Sequence, residues 1–368
     1  MFCFFKCFCH FRPAHYRGIS MNHSAEVDNA TLEALDSPFV TVVVPVIYML
    51  VFVISTPCNV IALCLLCGLT KRSTPTIIYS INLCLADLLY SIILPLQVDY
   101  HFHGNNWRFG MVTCNISTAA FYCNLQCSVL TTCAIALERY CGIVHPLKTH
   151  LLWSPRKAVM TCCCIWGLVL ALQLPFFLFN FTLFIPQLNI TTCFDVLPKA
   201  AFEGTKGYLY FITIYLVFYV VPLVLLVVCS CAVVHALRRT LDAGVQRSHR
   251  RVQVLVMVSA LCFIICYLPN MVIQPLHMVY RHSKQSLYAY YKLTLSINSL
   301  NCCFDPFVYY LASRELRQAL RRALGRWGCC PGCKGEEPVT FNLSELPSCN
   351  RVNQTGSRAL LNQCSHGL

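Results

Sequence analysis

The chain has 368 residues, 57% of them hydrophobic and 12% charged, with a formal net charge of +13. Soluble domains carry roughly 25% charged residues, so this composition excludes an ordinary soluble domain and indicates a membrane protein. The basic excess lies in short segments between apolar runs, where it acts as a topology signal and an attraction to anionic membrane lipid; no nucleic-acid partner is needed to explain it.

Residues 1–38 precede the first apolar run and are expected to form an extracellular N-terminus. The opening stretch has an apolar patch broken by Lys6 and no small-residue cleavage site, so it makes a poor signal peptide, and Met21 is an alternative start. A membrane-crossing helix needs about 20 largely apolar residues. Seven runs qualify, near 39–68, 75–100, 111–137, 157–179, 207–236, 252–280 and 287–311. The expected fold is an all-α membrane protein. A seven-transmembrane helix bundle spans 39–311, a short amphipathic surface helix spans 312–326, and a disordered cytoplasmic tail spans 327–368.

Basic residues set the orientation. Lys71 and Arg72 follow run one, Lys148, Arg156 and Lys157 follow run three, Arg238, Arg239, Arg247, Arg250 and Arg251 follow run five, and Arg314, Arg317, Arg321, Arg322 and Arg326 follow run seven. All fall on one side, taken as cytoplasmic, in a multi-pass plasma-membrane protein. Glycosylation sequons at Asn22, Asn29, Asn180 and Asn189 fall on the opposite side, as the chemistry of secretory glycosylation requires.

Most of the 27 cysteines sit inside apolar runs, where a thiol behaves as a small hydrophobe. Cys114, at the mouth of run three, and Cys193, in the second extracellular loop, face an oxidising compartment and are expected to pair. After run seven, Leu316, Leu320 and Leu324 repeat at helical spacing among arginines, followed by Cys329, Cys330 and Cys333 as expected palmitoylation sites. No histidine or second cysteine pair completes a zinc ligand set there. Pro57, Pro95, Pro175, Pro222, Pro269 and Pro306 interrupt the runs, and neighbours in a bundle re-satisfy the carbonyls they free.

Intramembrane polar residues are few: Asn59, Asp87, Ser128, Asn298, Asn301 and Asp305. Such groups mark functional positions. Two adjacent carboxylates at Asp87 and Asp305 require a proton or a cation between them. A sodium ion held by Asp87, Ser128, Asn301 and Asp305 is one expectation, and a plain hydrogen-bond network is the other; no further metal or cofactor is expected. At the end of run three, Glu138 is placed to hold the Arg139 guanidinium by a charge-assisted hydrogen bond, with Tyr140 beside them.

In this order, one per helix, Asn59, Leu85-Ala86-Asp87, Trp107-Arg108-Phe109-Gly110, Cys114, Glu138-Arg139-Tyr140, Trp166, Pro222, Cys266-Tyr267-Leu268-Pro269 and Asp305-Pro306-Phe307-Val308-Tyr309 resemble the rhodopsin-like G protein-coupled receptors. Asp305, Thr192-Cys193-Phe194-Asp195-Val196-Leu197 and Asp305-Pro306-Phe307-Val308-Tyr309-Tyr310 are similar to the purinergic and protease-activated receptor branch, and Tyr291-Lys292-Leu293-Thr294-Leu295 to its purinergic-type subtype-eight members.

The resemblance implies a receptor, not an enzyme, that converts extracellular small-molecule binding into activation of a heterotrimeric G protein, with arrestin and a receptor kinase as further partners. Glu138, Arg139, Tyr140, Tyr267, Pro269, Asp305, Pro306 and Tyr309 would form the activation switch. Tyr100, Phe121, Tyr122, Asn270, Gln274, His277, Tyr288, Tyr291 and Lys292 would line the ligand pocket. Phe121 stands where amine receptors carry an acid, and Met271 and Gln274 replace the histidine and basic residue of nucleotide-responsive members. Lys199, Lys206, Arg281, Lys284 and Lys292 instead favour a small anionic ligand, nucleotide-like or lipid-like. Ser230 replaces an expected tyrosine partner of Arg139, which motivates the alternative of a scavenging receptor with weak coupling.

Overall fold

The computed structural model describes residues 29–69, 74–145, 153–178, 181–195, 209, 212–239, 243–280, 287–312, 316–318 and 320. A short helix, α1 (Asn29–Asp36), leads through a π-helical turn at Phe39–Val43 into α2 (Val44–Leu69). Then follow α3 (Pro75–Ser91), α4 (Leu94–Phe102), α5 (Gly110–Val144) and α6 (Pro155–Leu178). An antiparallel hairpin of β1 (Thr182–Ile185) and β2 (Ile190–Cys193) precedes α7 (Val221–Arg239), α8 (Ala243–Tyr280), α9 (Tyr288–Ser299) and α10 (Asn301–Ala312).

Local chemistry sets several boundaries. Thr74 caps α3 by accepting the Ile77 N–H at 3.3 Å, with Pro75 in the first helical turn, where no N–H is needed. The second apolar run is divided between α3 and α4 just before Pro95, which cannot donate into a continuing helix. Gly110, at φ +79°, makes the left-handed turn that starts α5. With 35 residues, α5 is about 50 Å long and extends beyond the expected end of run three. The structure therefore places Glu138, Arg139 and Tyr140 inside a continuing helix.

Among the described residues, six helical segments are long and apolar enough to cross a membrane: Phe39–Gly68, Pro75–Phe102, Gly110–Val144, Pro155–Leu174, Ile212–Leu237 and Val254–His277. The seventh run is broken at Leu300 into α9 and α10, each of 12 residues. Within α10, Pro306 has no N–H for the Cys302 carbonyl one turn earlier. That carbonyl instead accepts from Asn59 Nδ2 at 3.0 Å, so a side chain of α2 supplies the missing donor.

The long helix α5 is the hub, packed against α3, α6 and α7, while α8 packs on α7, α9 and α10. Trp166 Nε1 donates to Asn82 Oδ1 at 2.8 Å, and Asn82 Nδ2 donates to Thr131 Oγ1 at 2.9 Å, tying α6, α3 and α5 together. Val53, Ile92, Val112, Met160, Val228, Met257 and Phe307 are exposed, as expected of side chains that face lipid. Beyond α10, Leu316 is buried against Leu66 and Ile77, and Arg317 Nη1 donates to the Tyr310 carbonyl at 2.9 Å. The remaining surface-helix and tail assignments, including Cys329, Cys330 and Cys333, lie outside the described residues.

Candidate functional site

At one end of the bundle the Cys114–Cys193 disulfide, with Cα atoms 5.7 Å apart, fixes β2 to the start of α5. Phe194 then adopts φ +62°, a left-handed conformation that costs a bulky residue about 1–3 kcal/mol and persists only where neighbours enforce it. Those neighbours are the Phe181 carbonyl, which accepts the Phe194 N–H at 2.9 Å, and the Phe181 and Tyr122 rings, with centroids 5.1 and 5.6 Å away.

The turn delivers Asp195 into the bundle. Its side chain is 1% exposed and forms an ion pair with Lys292 of α9, itself 9% exposed. Tyr100 donates its hydroxyl to Asp195 Oδ2 at 2.6 Å and accepts the Cys193 N–H at 3.4 Å. The Tyr288 hydroxyl lies against the same carboxylate, and the Tyr288 ring is 5.9 Å from Lys292 Nζ.

Next to this cluster is an aromatic and amide layer. Tyr122 and Tyr291 hydroxyls are 3.3 Å apart, and His277 stacks on Tyr291 at 5.0 Å with a 7° interplanar angle. Phe121 lies edge-on between Tyr90 and Tyr122. Asn270 Nδ2 donates to the Tyr219 hydroxyl at 3.0 Å and to Gln274 Oε1 at 3.5 Å, while its Oδ1 accepts from Thr294 at 3.1 Å.

Mid-bundle, Asp87 accepts from Asn124 Nδ2 at 2.9 Å, and Asp305, which accepts from Asn301 Nδ2 at 2.9 Å, faces Asp87 closely enough for the two carboxyls to interact. Ser128, one helical turn from Asn124 and on the same face, has a fully buried hydroxyl with no protein partner among the described residues, and so do both amide atoms of Asn298. Tyr267 is buried against Phe263, one turn away on α8.

At the other end, Thr76 of α3 donates to both carboxylate oxygens of Glu138 at 3.0 Å and accepts from Arg139 Nη2. The expected direct Glu138–Arg139 contact is therefore replaced by a Thr76 bridge: neighbours on one helix diverge by about 100°, and a hydroxyl on the facing helix reaches both. Tyr140 packs on Val233, Leu237 and Val256.

Residues 58–309 match the 7 transmembrane receptor (rhodopsin family) profile. The chain belongs to the rhodopsin family of seven-transmembrane receptors. It is 38% identical over 305 residues to the human S-geranylgeranyl-glutathione receptor P2RY8, covering 82% of this chain and 85% of that one. It is 33% identical over 341 residues to human Proteinase-activated receptor 1, covering 89% and 78%, and 34% identical over 300 residues to the purinoceptor 8 of Gallus gallus, covering 81% and 84%. This rhodopsin-family chain is a multi-pass membrane receptor with an extracellular ligand and a G protein partner, and it is not an enzyme.

Within the rhodopsin-family bundle, the expected pocket residues gather at the disulfide end, while Glu138, Arg139 and Tyr140 lie at the opposite end. Tyr309 lies in α10, its side chain outside the described residues. The sequence reading makes Lys292 a cation facing a ligand; the structure gives it a carboxylate partner. Lys199, Lys206, Arg281 and Lys284 lie outside the described residues, as do Asn22 and Asn180. Asn29 begins α1, and Asn189 is exposed at the hairpin turn with φ +52°. Sequence reading missed Thr76, Asn124 and Asp195 as site residues. An acid two positions after Cys193 was a usable signal for Asp195; nothing in the sequence marks Thr76.

Proposed function

We propose that the chain is a plasma-membrane receptor, N-terminus outside, whose disulfide end takes an amphiphilic anionic ligand of the lipid-conjugate class and whose Arg139 end engages a heterotrimeric G protein. The observation that carries the ligand reading is Lys292, buried with its Asp195 counter-ion beside Tyr100 and Tyr288 and close to an aromatic layer: a cation within apolar walls whose carboxylate partner a ligand acid would exchange with. The human relative named above is a receptor for S-geranylgeranyl-glutathione, which joins a polyprenyl chain to a carboxylate-bearing tripeptide. Met271 and Gln274, in place of a histidine and a basic residue, argue against a nucleotide. Ligand binding would favour one packing of the bundle by its difference in affinity for two states, releasing Arg139 from Thr76.

A sodium ion fits mid-bundle on the Ser128 hydroxyl, which has no partner among the described residues, beside the two facing carboxyls. Asp87, Ser128, Asn301 and Asp305 would hold it and supply oxygen ligands without a shared proton. Arrestin and a receptor kinase acting on tail serines and threonines, and lipid anchoring through Cys329, Cys330 and Cys333, complete the proposal.

The decisive experiment is G protein dissociation in cells expressing the chain, challenged with S-geranylgeranyl-glutathione and a nucleotide panel, with Arg139→Ala as control. An Arg139-dependent response to the lipid conjugate is expected. A response to nucleotides alone, or to none of the panel, would count against the ligand assignment. For the orientation, Asn189→Gln is expected to shift the receptor band by one glycan, and Asn115→Gln, buried within α5, to leave it unchanged; no shift at any of the sequons assigned to the outside would count against the assigned sides, and a shift at Asn115 would overturn its placement inside the bundle.

A further inference from the structure

We propose that Asp195 is an intramolecular stand-in for a ligand carboxylate: Lys292, Tyr100 and Tyr288 form a carboxylate-binding subsite that the chain fills with its own acid until a ligand acid replaces it. The donors come from helices. Lys292 and Tyr288 project from α9 and Tyr100 from α4, whereas the acid comes from the segment after β2. The subsite therefore belongs to the bundle, and its occupant belongs to the loop. Every observed contact of the carboxylate is one that a free carboxylate would make. Lys292 supplies the charge, Tyr100 donates a hydrogen bond at 2.6 Å, and the Tyr288 hydroxyl lies alongside.

Exchange of one carboxylate for another leaves Lys292 paired throughout, which matters because a buried ammonium without a counter-charge is strongly disfavoured. A neutral head group would have to leave Asp195 in place or strand Lys292. The arrangement thus selects acids over neutral lipids. It also makes ligand binding compete with the contact that holds the loop to α9, so occupancy at the subsite is communicated to the disulfide-linked hairpin. Phe194 strengthens the link, since its left-handed backbone sets Asp195 and its ring meets Tyr122 of the neighbouring aromatic layer.

This inference deepens the ligand class proposed above, and its test needs no G protein. The full chain, purified in lipid nanodiscs, is melted in sodium acetate, in sodium chloride of equal ionic strength and in acetamide. Asp195→Ala is expected to melt below wild type in chloride and to regain about 2–4 °C in acetate, with no gain in acetamide. Wild type, Asp195→Asn, whose amide fills the space, and Asp195→Ala combined with Lys292→Gln should show no acetate-specific gain. If Asp195→Ala does not accumulate, Asp195→Ser leaves similar room and carries the same comparison. Equal effects of acetate and chloride, or an undiminished acetate effect without Lys292, would overturn the proposal. Acetate rescue in a chain that never activates a G protein would sink the signalling reading and leave the subsite standing.

Discussion

Replacing Cys193 with serine is expected to remove about 4 kcal/mol of stability and most of the receptor from the cell surface. The bond joins positions 79 residues apart, so its loss restores a large loop entropy to the unfolded chain. It also releases β2, whose Thr191 carbonyl accepts the Trp107 N–H at 2.6 Å and whose Thr191 N–H donates to Asn106 Oδ1 at 3.0 Å. Cys114→Ser should cost as much, and the double substitution little more than either alone, because all three remove one bond. Thermal melting of purified receptor and surface labelling of intact cells measure both expectations. Retention of the wild-type melting temperature in either single variant would show that the bond contributes nothing to the fold.

Thr76→Val tests the opposite end. Valine keeps the shape and deletes the hydroxyl, leaving Glu138 without its two hydrogen bonds and Arg139 without its described acceptor. Stranding buried or half-buried polar groups costs about 1–3 kcal/mol, and it falls on the state in which the bridge exists. If that is the inactive packing, ligand-free G protein activation should rise about tenfold for each 1.4 kcal/mol of bias. Adding Arg139→Ala should silence it. A lower melting temperature with unchanged basal signalling would make Thr76 a structural cap and return the switch to Glu138 and Arg139 alone.

Ser230 bears on the same end. Sequence reading identifies it as the replacement for a tyrosine expected to receive Arg139 once freed. The structure places it part-buried on α7, in the arginine-held state, so the loss of that acceptor bears on how well the released state is held. A Ser230→Tyr variant compared with Thr76→Val in one assay would separate release from capture.

Much of this molecule was legible in its residues because the bilayer is an exacting solvent. It requires runs of about 20 apolar residues and backbone groups satisfied within helices, so span positions could be read directly, and with them the two acids, Asp87 and Asp305, that those spans bury. Cys114 and Cys193 were legible because most of the other cysteines lie inside apolar runs. The tertiary structure alone decided which polar groups meet. Thr76 reaches Glu138 and Arg139 across more than sixty residues, and Asn59 replaces the donor that Pro306 lacks from far along the chain. Lys292 looked like a vacant cation until Asp195, steered by the disulfide and the strained Phe194 backbone, was seen to occupy it. Hydropathy is a property of each residue and can be summed along the sequence. Pairing of buried charges and hydroxyls depends on distances between helices, which exist only once the bundle has closed.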